Sequence, residues 1–402
     1  MPIASSANYG IANNALEEST IDPAFASSAN ERTETTSSDH DSIGAQVTEI
    51  PVEEPLGTIE EEYEESPSGS RLHPRPVVLF IGPVIASLVL FSMLGVLVRV
   101  HMTRLFTYHG APIYGLIWAQ MTGCLIMGIA TRTKGILLRY SPALNLGITT
   151  GLCGSITTFS SWQLLVYEEF FNTSAYTHSQ FRNFLSGTSV LVTTVACAVG
   201  ALRLGQIIGD EVRLAYIIYL RTTHDERDPL YRIATKLLGC RPASTRQGWI
   251  GWTEWRTVDF MLAILGILAI MATCVVIGVA RDTRSVSIAM LVGPAGTLLR
   301  WRLSSLNTRE TKLPPLLTKL PLGTFIANVL GSVVLSIIHI LQTGVVVQPS
   351  ATSCYVLAAM ADGFCGCLTT VSTFAAEISV LTPRRSVIYA IISIVAAQAH
   401  LF

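Results

Sequence analysis

The chain has 402 residues, half of them apolar and only 14% charged, with a formal net charge of −1. Together with a mean hydropathy of +0.48, this composition is that of a membrane protein and excludes a single water-soluble core. The near-zero charge hides an asymmetry, acidic at the start and edged by Arg and Lys afterwards, that excludes nucleic-acid binding by the chain as a whole.

Residues 1–75 are rich in Ser, Thr, Asp and Glu, with an acidic run from Glu60 to Glu65. Such a segment cannot bury enough apolar surface to offset its chain entropy, and a disordered cytosolic tail is expected. From Val77 onward, a ruler of about 20 apolar residues per crossing of a roughly 30 Å hydrocarbon core marks nine candidate spans. The first four are 77–100, 112–130, 142–167 and 184–208; a fifth, 259–280, stands alone; the last four are 286–302, 321–341, 353–381 and 386–402. The basic linker 209–258 carries Tyr216, Tyr219, Tyr231, Trp249, Trp252 and Trp255, which suit the headgroup level.

The spans repeat. Gly95-Val96-Leu97-Val98-Arg99 matches Gly296-Thr297-Leu298-Leu299-Arg300, and Gln120-Met121-Thr122-Gly123 matches Asn328-Val329-Leu330-Gly331. The third match is between Gly151-Leu152-Cys153-Gly154-Ser155-Ile156-Thr157-Thr158-Phe159-Ser160-Ser161-Trp162 and Gly363-Phe364-Cys365-Gly366-Cys367-Leu368-Thr369-Thr370-Val371-Ser372-Thr373-Phe374. The offsets are 201, 208 and 212 residues, so insertions fall in the loops while the spans stay in step. A four-span unit is used twice, as 76–208 and 285–402, and the lone helix 259–280 inverts the second copy. Arg and Lys gather in alternate loops, which puts the N-terminus in the cytosol and the C-terminus outside.

No phosphate loop or His-Glu-x-x-His motif is present, so ATP-driven pumping and zinc hydrolysis lack their parts. The eight scattered cysteines read as small buried hydrophobes. Polar residues inside spans are costly enough to point to function. Asn328 is one, whether as an anion donor or as interhelical glue beside Gly331. The Gly-x-x-Thr-Thr stretches must break their helices and free backbone groups that protein, water or ions then satisfy. A line of hydroxyls follows each break.

Both repeats resemble the fluoride channel family, the bacterial Fluc/CrcB proteins and their fused eukaryotic export relatives called FEX. The resemblance covers about 80–208 and 285–402 and rests on three motifs, in order and twice: Gly-x-x-x-Arg, Thr-x-x-x-Asn-x-x-Gly and Gly-x-x-Thr-Thr-Phe-Ser-Thr-Phe. It implies an all-α membrane protein of two antiparallel four-helix units acting as an internal pair in a single chain, with a broken third helix in each. It also implies two fluoride pores and a central structural Na+ held by the backbone carbonyls of Gly154, Thr157, Gly366 and Thr369. The family's paired aromatics fall at Phe159 and Trp162 and at Val371 and Phe374, each pore taking one from each repeat. Ring edges are electropositive and attract a small anion without binding it as tightly as a full charge.

The repeats depart from the family pattern unequally. Asn328 is replaced by Gln120 in the first repeat, Glu377 by Leu165, and each aromatic pair has lost one Phe. The resemblance therefore implies one conducting pore, with Phe159, Phe374, Asn328 and the hydroxyls of Thr158, Ser160, Thr370, Ser372 and Thr373. The other, with Gln120, Trp162 and Val371, is expected to be degenerate. Arg99 and Arg300, with Glu377, are expected at vestibules, or the arginines as anchors at headgroups. A passive plasma-membrane fluoride channel follows, not an enzyme, with fluoride and the lipid bilayer as its partners. A cation-coupled solute transporter, for which Glu377 is the candidate carboxylate, and a non-conducting scaffold remain as alternatives.

Overall fold

The computed structural model describes residues 78–177, 179–222, 257–280, 282–308, 320–343 and 350–400. The expected acidic tail and the linker from 223 to 256 lie outside the described residues. Among the described residues every regular element is helical. The first repeat runs α1 (Val78–Leu105), α2 (Leu116–Arg132), α3 (Lys134–Tyr140), α4 (Pro142–Leu146), a π-helical turn (Gly147–Cys153), α5 (Gly154–Ile156), α6 (Phe159–Phe171) and α7 (Gln180–Thr222). The lone helix is α8 (Thr257–Val279). The second repeat runs α9 (Arg284–Ser304), α10 (Leu322–Gln342), α11 (Ala351–Ala359), a π-helical turn (Met360–Cys365), α12 (Gly366–Leu368), α13 (Ser372–Val380) and α14 (Pro383–Gln398).

The third span of each repeat is broken at the same place. Thr157 (φ −93°, ψ 147°) and Thr369 (φ −94°, ψ 155°) take an extended backbone, which ends one hydrogen-bond ladder before the next begins. The π turns lie just ahead of the breaks, a position such bulges often take near functional sites. Among the described residues five helical stretches are long and apolar enough to cross a membrane: Ile81–Leu105, Gln180–Tyr219, Thr257–Val279, Leu322–Gln342 and Thr352–Val380.

The fourth helix does not end at 208, as the sequence suggested. It continues to Thr222 as one element of 43 residues, about 64 Å at 1.5 Å per residue. Residues 210–222 hold neither Gly nor Pro to stop it. A glycine seam also extends its packing. A Cβ on Gly128 would overlap the Leu202 carbonyl, one on Gly205 the Leu125 carbonyl, and one on Gly209 would meet Arg132 Cβ at 2.8 Å. Small residues four apart let α2 and α7 approach backbone to backbone, and an Arg132–Asp210 ion pair of 3.5 Å lies beyond the seam.

Helix α8 packs on α1 and α9. Its Asp259 accepts from the Ser141 hydroxyl, whose oxygen caps α4 through Ala143 N (3.0 Å) and Leu144 N (3.2 Å). Phe260, Leu265, Leu268 and Met271 face outward, as befits a helix apolar all round. Cys124, Cys153, Cys365 and Cys367 are buried, whereas Cys274 and Cys354 are exposed. The seam is testable by contrast within one helix, because a Cβ on Gly200 meets nothing within 4 Å. Gly205→Ala is expected to lower the melting temperature of the detergent-purified protein, while Gly200→Ala leaves it unchanged or raises it through the roughly 1 kcal/mol helix preference of Ala over Gly.

Candidate functional site

The two breaks face each other and exchange hydrogen bonds reciprocally. Thr157 Oγ1 accepts from Val371 N (3.2 Å) and Ser372 N (3.1 Å), which open α13. Thr369 Oγ1 accepts from Phe159 N and Ser160 N, both at 3.1 Å, which open α6. Each hydroxyl also donates to its own repeat, Thr157 to Cys153 O and Thr369 to Cys365 O, both at 3.0 Å. Every helix start leaves amides without intrahelical acceptors. Here each repeat supplies the missing acceptor to the other. The Thr158, Ser160, Thr370 and Ser372 hydroxyls complete the cluster at 3.0–3.1 Å from the two threonines.

Outside this clasp, one amide side chain braces each break. Asn328 accepts from Thr370 N (2.8 Å) and donates to Thr370 O (3.2 Å). Gln120 accepts from Thr158 N (3.2 Å) and donates to Thr158 O (2.7 Å). Three residues on, and so on the same helix face, Gly123 and Gly331 receive the threonine methyls. A Cβ on either would overlap the Cγ2 of Thr157 or Thr369.

The two span-end arginines cross between repeats. Arg99 is 2% and Arg300 5% exposed. Arg99 donates to the carbonyls of Ser155 (2.5 Å), Gly366 (2.8 Å) and Asp362. Arg300 donates to those of Cys367 (2.9 Å) and Thr150 (2.8 Å). The glycine one turn earlier lets each helix press on a π turn, because a Cβ on Gly95 would stand 3.0 Å from Leu152 O and one on Gly296 would overlap Phe364 O. Gly154 and Gly366 must also lack side chains, since a Cβ there would overlap the guanidinium of Arg300 or Arg99.

The aromatic residues lie against this centre. Phe159 and Phe374 meet edge to face, with centroids 5.4 Å apart and planes at 72°. Trp162 stands edge-on to Phe159 at 5.2 Å, and Tyr389 lies 5.4 Å from Phe374. The Tyr389 hydroxyl donates to Glu377 Oε2 at 2.8 Å, while Glu377 Oε1 accepts from Thr324 and, at 3.3 Å, from Asn307. Glu377 borders a cavity of about 540 Å³ that Lys134, Asn145, Asn307 and Thr373 also line. Trp162 and Val371 border a separate narrow apolar space with Ala198, Val199, Phe374 and Ala375.

A family model described as CrcB-like protein, Camphor Resistance (CrcB), matches residues 86–241 and again 287–402. The chain belongs to the CrcB-like family. Fluoride export protein 1 of Candida albicans is 30% identical over 336 residues, 79% of this chain and 77% of that relative. Fluoride export protein 1 of Saccharomyces cerevisiae is 26% identical over 335 residues, 76% and 87% respectively. Fluoride-specific ion channel FluC 1 of Staphylococcus aureus is 36% identical over 126 residues, 31% of this chain but 91% of that relative. No solved structure matches the chain.

Within the CrcB-like fold, one expectation from the sequence is corrected. Arg99 and Arg300 stand neither at vestibules nor at headgroups: a guanidinium has five donors and no acceptor, and the broken spans offer a concentration of carbonyls. Gln120 is no looser than Asn328, because its longer side chain reaches the same two backbone atoms. Of the four carbonyls assigned to Na+, that of Gly366 accepts from Arg99 and Gly154 lies against Arg300. Among the described residues no donor reaches the carbonyls of Thr157 or Thr369.

Tyr389, Asn307 and Thr324 were not anticipated, although Tyr389, Ser393 and Ala397, buried at helical spacing, form a readable stripe. Removing either half of the clasp strands two buried amides at about 1–3 kcal/mol each. Thr157→Val and Thr369→Val are therefore expected to lower the melting temperature equally. Gln120→Leu and Asn328→Leu should likewise match each other.

Proposed function

We propose that this multi-pass membrane protein is a passive fluoride channel that exports the ion from the cytosol across the plasma membrane, without catalysis. The observation that carries this reading is the line from the 540 Å³ cavity through Glu377 and Tyr389 to the edge-on rings of Phe374 and Phe159. Fluoride is small and strongly hydrated, so passage demands donors that replace water without the hold of a formal charge. Hydroxyls and ring edges supply this. Family membership and relatives named for fluoride export point the same way.

The direction of transport needs no coupling. Fluoride enters from acid surroundings as neutral HF, dissociates in the near-neutral cytosol and is trapped as the anion. An interior-negative potential then favours its exit, at about 2.3 kcal/mol per charge per 100 mV. We place the N-terminus in the cytosol and the C-terminus outside, with nine spans, α8 inverting the second repeat and the single chain acting as its own pair. In that orientation the cavity opens to the cytosol, beside Lys134.

We further propose that the Phe159–Phe374 route conducts and that the Trp162–Val371 side does not. Unequal surroundings support this: Phe374 leads through Tyr389 to Glu377 and the open cavity, whereas Trp162 and Val371 border a narrow apolar space that Phe374 also touches. A central Na+ would rest on the Thr157 and Thr369 carbonyls, since guanidinium groups crowd the two glycine positions. Its chemistry is structural, holding the two breaks together.

Proteoliposomes loaded with fluoride and read with a fluoride electrode test the channel. Efflux is expected for fluoride and not for chloride, independent of a proton gradient; proton-coupled uptake would favour the transporter alternative. Phe374→Leu keeps an apolar side chain but removes the ring edge, and is expected to slow efflux at least tenfold, whereas Val371→Ile leaves it near wild type. Replacing Na+ by N-methylglucamine is expected to lower the melting temperature of the purified protein.

A further inference from the structure

Beyond Phe159 and Phe374 lies a buried pair of amides that neither the clasp nor the braces use. Gln163 follows Phe159 by four residues, one turn along the same face of α6, and is fully buried. On α14 the stripe Tyr389, Ser393 and Ala397 leads to Gln398, 8% exposed. Gln398 Nε2 donates to Gln163 Oε1 (2.8 Å) and to Gln163 O (2.9 Å).

This bonding fixes which end of each amide is which, normally a matter of assignment. The backbone carbonyl of Gln163 requires a donor from Gln398, so the Gln398 nitrogen points there. The atom of Gln163 that faces this nitrogen must then be its oxygen. Gln163 Nε2 is left pointing elsewhere with both N–H groups, and it has no partner among the described residues. Among the described residues Gln398 Oε1 is likewise buried without a partner. Such orphans cost about 1–3 kcal/mol each unless a ligand or water takes them up.

The other repeat lacks this feature. By the 212-residue offset the counterpart of Gln163 is Ala375. The buried stripe Val190, Thr194 and Ala198 corresponds to Tyr389, Ser393 and Ala397, which makes Val199 the counterpart of Gln398. Ala375 and Val199 both border the narrow apolar space beside Trp162 and Val371. The amide pair therefore has no equivalent in the other half: its counterparts line the space that Trp162, Val371 and Phe374 share, while Gln163 stands one turn from Phe159.

We infer that Gln163 Nε2, pinned by Gln398, is an anion-binding station on the Phe159–Phe374 route, one helical turn past the rings and away from Glu377. This inference rests on the channel reading above. Its ligand is a partly hydrated fluoride: the anion accepts from the Gln163 N–H groups, and its remaining water donates to Gln398 Oε1. A neutral amide holds a small anion without trapping it, as the ring edges do.

The test uses the full chain in proteoliposomes with a fluoride electrode. Absence of fluoride efflux from the wild type would overturn the channel reading itself. With wild-type efflux established, Gln163→Met and Gln163→Glu are each expected to slow it at least tenfold, while Val199→Ala leaves it unchanged. Gln163→Glu keeps both acceptors that Gln398 uses, side chain and backbone, but offers fluoride no N–H and, when ionised, a repelling charge. A role limited to joining helices predicts wild-type efflux from this variant, and that result would overturn the station. Should Gln163→Met not yield a monodisperse protein on gel filtration, Gln163→Glu and Gln398→Met carry the test. Gln398→Met unpins the amide but keeps its donors, and is expected to slow efflux less than Gln163→Glu; the reverse order would also overturn it.

Discussion

Two threonine hydroxyls, Thr157 and Thr369, hold the structure at its centre. Each oxygen accepts two amides from the other repeat and donates to a carbonyl in its own. Within a bilayer a broken helix has no water to satisfy the groups it frees. Neither third span is therefore complete without its counterpart. Fusion of the two repeats in one chain ensures that the counterpart is present.

The residues around the clasp follow from the same constraint. Extended backbone at each break concentrates carbonyls in a buried place, and burying a guanidinium is tolerable only where such acceptors surround it. Arg99 and Arg300 meet this condition by reaching across the pair. Their room comes from glycines: Gly95 and Gly296 bring the helices close, and Gly154 and Gly366 leave space for the guanidinium groups. The braces repeat the logic, with Gln120 and Asn328 each replacing the two hydrogen bonds that a helical neighbour would have supplied.

The scaffold is symmetric but its walls are not. Groups that satisfy the backbone are constrained in both repeats by the cost of an orphaned polar atom, and they match closely. Residues outside those contacts are not bound by that cost, and they diverge: Glu377 against Leu165, Tyr389 against Val190, Gln163 against Ala375. Among the described residues the buried polar atoms without a hydrogen-bond partner include Gln163 Nε2 and Gln398 Oε1, and also Trp162 Nε1.

The sequence by itself determined the duplication, the helical membrane fold, the two breaks and the residues that cluster at them, because each leaves a local mark: apolar length, a repeated Gly-x-x-Thr-Thr, a fixed offset. It did not determine what those residues bond to. Arg99 and Arg300 looked like span-end charges because a sequence shows the end of an apolar run and not the carbonyls gathered beneath it. Gln120 looked like a loss because one methylene matters only relative to a target, and the target, Thr158, is set by how α2 packs on the break. The end of α7 was misplaced because polarity suggested a loop where residues 210–222 hold no Gly or Pro to interrupt the helix. Likewise Gln163 and Gln398, 235 residues apart, form a pair only after the two repeats are folded together, because the hydrogen bonds joining them cross the pseudo-two-fold interface.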